Sequence, residues 1–149
     1  MIKKIKSKKG NSILSFIVVI PFLVLMMTYF ICSFTFNRTN NDFYAVTNSY
    51  FDRILVEGQI TTSLMNDMTD KLERMGFDRA DVEITANNGN VDDGDDSTYL
   101  QRGEEIQVKI LHKKPHYFYL VNQILSLGAV NEEAFYVGSV FTGMSEKWD

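Results

Sequence analysis

Between Asn11 and Asn37 the chain runs for 27 residues without a charged side chain, and the ten residues before it, MIKKIKSKKG, carry five lysines. At about 1.5 Å rise per residue such a segment forms a helix roughly 40 Å long, against a hydrocarbon core of about 30 Å. A soluble core has no need of an apolar helix of this length, so the segment predicts a transmembrane span with slack at both ends. Lys3, Lys4, Lys6, Lys8 and Lys9 lie immediately before it, and Arg38 is the only basic residue near its far end before Arg53. Basic flanks stay in the cytoplasm. The expected protein is a single-pass signal anchor in the cell membrane, with membrane lipid as a partner, its N-terminus cytoplasmic and residues 38–149 extracytoplasmic.

A cleaved secretory signal also begins with a basic region, but its apolar part is only about 7 to 15 residues and ends at a small-x-small site. Here Ile31-Cys32-Ser33-Phe34-Thr35-Phe36 offers no such site, and Cys32 lies too far along the apolar run, without small residues before it, to read as a lipoprotein cysteine. All 19 acidic residues lie at or beyond Asp42, while ten of the 15 basic residues lie beyond the leader, so residues 38–149 carry a net charge of −9. That balance argues against nucleic acid and against anionic lipid headgroups as partners. With one cysteine, no intramolecular disulfide or cysteine-based zinc site can form, and the exterior domain must hold by packing alone.

Beyond the span, NRTNN (residues 37–41) is polar, and from Asp42 a helical pattern resumes: Phe43, Val46, Tyr50 and Ile54 recur at three- and four-residue steps. This amphipathic helix either continues the transmembrane one or follows it, and Gly58 interrupts it. A second helix carries Ile60, Leu64, Met68, Leu72 and Met75 on one face, with Thr61 or Thr62 to cap its start and Gly76 to stop it. The period then changes. Val82, Ile84 and Ala86 alternate with polar residues as a half-buried strand, and Ile106, Val108 and Ile110 do the same before Pro115, so the two should pair as a hairpin. Asn87 to Gly103, rich in turn formers and acids, separates them as a long exposed loop or hairpin tip. Tyr117 to Leu127 is apolar but too short to cross a bilayer; it reads as a short buried or membrane-surface helix closed by Gly128, with a strand as the lesser option. Ala134 to Phe141 is rich in β-formers and should add a third antiparallel strand. The predicted class is α+β: a basic leader (1–10), a transmembrane helix (11–37), a helical stalk (38–76) and a small extracytoplasmic α+β domain (77–149).

A lysine-rich leader ending in Gly10, an apolar helix, a helical extension and a small antiparallel sheet form a plan that resembles type IV pilin-like proteins, and TadE-like pseudopilins in particular. In that group a basic residue and Gly are followed by about four small or apolar residues, Glu, Phe, an apolar run and Pro near the eleventh position. Here Lys9-Gly10 is followed by Asn11-Ser12-Ile13-Leu14, Ser15, Phe16 and Pro21. The exterior part is similar in outline, with Gly103-Glu104-Glu105-Ile106-Gln107-Val108, then Tyr117 to Leu127, then Ala134 to Phe141. The chain also looks like proteins carried on conjugative elements. The resemblance implies a prepilin peptidase cut after Gly10 that leaves Asn11 as the new N-terminus. It further implies helix packing from Asn11 onward with other pilin-like subunits or with secretion or conjugation machinery, and a kink or loosening at Pro21. One residue departs from the pattern. Ser15 stands where the family has the Glu that pairs with a neighbour's N-terminal amine, and a hydroxyl accepts a hydrogen bond without neutralising that charge.

The leader has a plainer reading as a positive-inside anchor in which Gly10 is incidental. Other motifs favour the plainer reading outright. Asn88, Asn90, Asp92, Asp93, Asp95 and Asp96 suggest a calcium loop, but counting from Asn88 the position that requires Gly holds Asp93 and the position that requires Glu holds Tyr99, so a solvated acidic loop is expected. His112 and His116 are spaced as a helical metal pair, yet Pro115 breaks the helix and Lys113 and Lys114 repel a cation. They read as a solvent-facing turn. No nucleophile elbow, phosphate-cradling loop or zinc-ligand cluster occurs in the sequence, so neither an enzyme nor a cofactor is expected. The expected function is structural or assembly work in a pilus, secretion or conjugation apparatus. The alternative is an unprocessed bitopic protein whose exterior domain binds a partner.

Overall fold

A computed structural model describes residues 8–86, 89–90 and 103–146, with side chains described from Ser15 onward apart from residues 89–90. Lys3, Lys4 and Lys6, most of the acidic loop, and Trp148 lie outside the described residues. The span and the amphipathic segment form one helix, α1 (Lys8–Glu57), which runs through both Pro21 and the polar NRTNN. Two groups of the polar stretch find partners along the helix. Asn37 donates to the Ser33 carbonyl at 3.0 Å, and Arg38 lies 3.8 Å from Asp42 one turn on. Gly58, with φ of 68°, ends α1 in the left-handed conformation that a Cβ disfavours.

Helix α2 (Thr62–Arg74) starts at Thr61, whose hydroxyl accepts from the Leu64 amide at 3.2 Å. It ends in a Schellman arrangement: the Gly76 amide donates to the Glu73 carbonyl at 2.9 Å and the Phe77 amide to the Leu72 carbonyl at 3.1 Å, with φ of 95° at Gly76. A sheet follows, built from β1 (Val82–Ala86), β2 (Gly89–Asn90), β3 (Glu105–His112) and β4 (Val137–Met144) in the spatial order β2-β1-β3-β4, all antiparallel. The β1–β3 pairing expected from the alternating patterns is present, with Val82 opposite His112 and Ala86 opposite Val108.

Alternation puts Ile106, Val108, Ile110 and His112 of β3, and Val137, Ser139 and Phe141 of β4, on the inner face. That face packs on α1 itself. Phe43, Val46, Phe51 and Ile54 of α1 share one core with Leu64, Met68 and Leu72 of α2 and with the inward residues of β3 and β4. Phe51 stacks on Phe141 at 5.1 Å, and the Thr47 hydroxyl lies 3.3 Å from that of Ser139. The stretch 38–76 and the sheet are therefore one packing unit, and the helix that carries the apolar span also carries the domain core.

Three expectations need correction. The last strand begins at Val137, because Glu132–Phe135 forms a 3-10 turn capped by Asn131, whose side chain accepts from the Glu133 amide. Within the stretch expected to be loop, Gly89–Asn90 adds a short edge strand against Thr85 and Ala86. Finally, the apolar segment near the C-terminus is the expected short helix, α3 (Phe118–Ser126), but Leu127 at φ of 50° closes it in place of Gly128, and Phe118 is its one buried residue. The fold is α+β with a long N-terminal apolar helix.

Candidate functional site

Nine side chains on α1, Leu25, Tyr29, Cys32, Phe36, Thr39, Phe43, Val46, Tyr50 and Ile54, succeed one another at steps of three and four, and every one is buried or half-buried. A helix repeats this way along one face. The N-terminal half of the stripe lies inside the uncharged segment, so the folded domain packs on α1 well before Asn37. An aromatic cluster makes this contact: Phe118 packs on Tyr29 at 5.2 Å and on Phe36 at 5.9 Å, and Phe135 closes on Phe36 at 6.1 Å and on Phe118 at 5.7 Å. Sequence reasoning stopped the stripe at Phe43. The signal for its extension was the seven-residue step from Tyr29 to Phe36.

The rest of the span faces outward. Thirteen large apolar side chains from Phe16 to Phe34 are between 41 % and 71 % exposed. Two hydroxyls along it bond within the helix: Thr28 donates to the Val24 carbonyl at 2.9 Å and Thr35 to the Ile31 carbonyl at 2.8 Å. This is how hydroxyls are tolerated where no water is present. Of the motif positions, Gly10 and Asn11 lie in the first turns of α1 together with Lys8 and Lys9, and Ser15, Phe16 and Pro21 are exposed along it. Pro21 meets another element. It lines a groove of about 350 Å3 with Val24, Leu25 and Thr28 of α1 and Val121 and Ile124 of α3.

A larger open cleft, about 700 Å3, lies just above the aromatic cluster, between Thr39 of α1, Phe77, the end of β3 and the start of α3. Here the two histidines depart from the expected solvent-facing turn. His112 is the last residue of β3, 7 % exposed and edge-on to Phe77 at 5.3 Å, and its Nε2 has no hydrogen-bond partner. Burial pulls its pKa below the ordinary histidine value. The strand ladder explains the error, since pairing with Val82 and Val137 carries β3 up to His112 and turns it inward. His116, half-buried, accepts from the Phe118 amide through Nδ1 at 3.2 Å and so caps α3, which has no other side-chain cap. The pair is split between a core wall and a helix cap. Among the described residues, no group of three or more His, Cys, Asp or Glu side chains is placed to hold a metal.

The arrangement presents an apolar helical surface over a length that suits a bilayer, with a folded domain packed on the C-terminal part of that helix. Compared with known protein families, with characterised proteins and with solved structures, the chain matches none.

Proposed function

We propose that the protein is a membrane-anchored, pseudopilin-like structural or assembly component of a pilus, secretion or conjugation apparatus, and that it is not an enzyme. The observation that supports this reading is the double use of α1: its N-terminal half exposes an apolar surface fit for an anchor, and its buried stripe belongs to the core of the folded domain. At about 1.5–3 kcal/mol for full burial of a large apolar side chain, the thirteen exposed ones represent on the order of 15 kcal/mol if left in water. This rivals the roughly 5–15 kcal/mol that holds a whole domain together. Lipid, or the matching helices of neighbouring subunits, removes that penalty.

In this reading the N-terminus is cytoplasmic, a prepilin peptidase cuts between Gly10 and Asn11, and Phe16 and Pro21 lie in the packing surface offered to neighbours. Mass spectrometry of the protein from cells with an active prepilin peptidase tests it. A mature chain starting at Asn11 is expected; a chain retaining residue 1 overturns the processed form. Ser15 favours a second reading, an unprocessed bitopic protein whose exterior domain binds a partner in a transfer complex, because a neutral hydroxyl gives a neighbour's amine no counter-charge within the apolar layer.

A further inference from the structure

We propose that α3 and the turn after it form a second membrane contact, seated among the lipid acyl chains of the outer leaflet against the flank of α1. The inference rests on α1 spanning the bilayer. About 20 of the 27 uncharged residues suffice to cross the hydrocarbon, so a centred span leaves three or four residues beyond it at each end. Thr28 and Val24 then lie roughly 8 and 14 Å inside the outer boundary at about 1.5 Å per residue. Val121 and Ile124 line one groove with these two residues. An element packed at that level on a spanning helix is itself within the leaflet.

The exposed surface of α3 and of the turn after it has the composition this position requires. Leu120, Ile124, Leu125 and Leu127 are 56 %, 66 %, 43 % and 95 % exposed. From Tyr117 to Asn131 there is no charged residue, and charges resume on both sides, at Lys114 and Glu132. Asn122 turns its amide back to the Phe118 carbonyl at 3.0 Å, as polar groups do where water is scarce. Tyr119, which bonds Glu132 at 3.2 Å, sits near Phe135 at the top of the aromatic cluster, where an amphipathic ring suits the membrane interface. The exterior domain is thereby held to the membrane at a second place beside the spanning helix.

The test uses the full chain with Cys32→Ser and one new cysteine, Leu127→Cys or Ile124→Cys, carrying an environment-sensitive fluorophore, in phosphatidylcholine vesicles with plain or brominated acyl chains. Met27→Cys reports the span and Thr142→Cys the exposed face of the sheet. The expected result is blue-shifted emission at positions 124 and 127, quenched by bromine as strongly as at position 27, with position 142 unquenched. If positions 124 and 127 are unquenched while position 27 is quenched, the inference fails and the anchor stands, whether their emission is that of water or of a dry contact with another subunit. If position 27 is also unquenched, the spanning helix itself is refuted.

Discussion

Phe43 and Phe34 lie nine residues apart on the same helix, one fully buried and the other 71 % exposed, so truncating each to alanine separates the two duties of α1. Phe43 meets Phe77 edge-on at 5.0 Å and sits in the core shared by α1, α2 and the sheet. Phe43→Ala removes its transfer energy and leaves a cavity that this core fills only in part, a loss of about 3–5 kcal/mol. For an exterior part of about 110 residues the unfolding entropy near the midpoint is roughly 0.2 kcal/mol per kelvin, so a 4 kcal/mol loss lowers Tm by about 15–20 °C. Phe34→Ala, made on the outward surface, changes the domain's stability by less than about 0.5 kcal/mol, or roughly 2 °C. Thermal unfolding of the full chain in detergent, followed by near-ultraviolet circular dichroism, reads both. Equal shifts for the two variants, or none for Phe43→Ala, would refute the claim that the second half of α1 is the domain's core.

Three further outcomes follow from local geometry. Gly143 faces the α1 side chains so closely that an added Cβ would come within 2.9 Å of Leu55 and 3.2 Å of Phe51, so Gly143→Val is expected to cost about 1–3 kcal/mol in denaturant melts. Adding Leu55→Ala should recover part of that loss, and strict additivity would contradict the contact. Thr61→Ala removes the α2 cap and is expected to cost about 1 kcal/mol, with Thr62→Ala nearly silent by the same melt. Because burial lowers the His112 pKa in the folded state, protonation favours the unfolded chain. Stability is thus full above the unfolded value of about 6.5 and declines as pH falls through it towards the folded pKa. His112→Phe should flatten the Tm change between about pH 7.5 and 5.5 relative to the parent, leaving the part due to other groups, and an identical slope in the variant would contradict the assignment.

The span, α2 and the strand pair β1–β3 were legible because each is written in local chemistry: absent charge from Asn11 to Asn37, Thr61 and Gly76 at the ends of α2, and strict alternation about Ile84 and Val108. The start of β4 was misplaced because the β-forming composition of Ala134-Phe135-Tyr136 outweighed a competing signal, the Asn131 cap followed by Glu132 and Glu133. His112 was misread because only the pairing of β3 with both neighbours tells how far that strand runs. The apolar character of α3 was plain, but which face is covered depends on Tyr29 and Phe36, some 80 to 90 residues earlier. No local pattern carries such a contact. Of the proposed motif, Gly10, Ser15, Phe16 and Pro21 are legible only as spacing, since the partners that would give them a role are other molecules.

The central claim is that one unbroken helix both crosses the membrane and supports the exterior domain. Spin labels at Leu23→Cys and Val56→Cys, both on exposed positions, in a Cys32→Ser chain reconstituted in vesicles measure it directly. The 33 residues between them place the labels about 50 Å apart if the helix is continuous. Pulsed electron resonance should then give one narrow distance near that value, with position 23 relaxed by lipid-soluble oxygen and position 56 by a water-soluble agent. A markedly shorter or broad distribution would show a joint at NRTNN, and the shared helix would be contradicted.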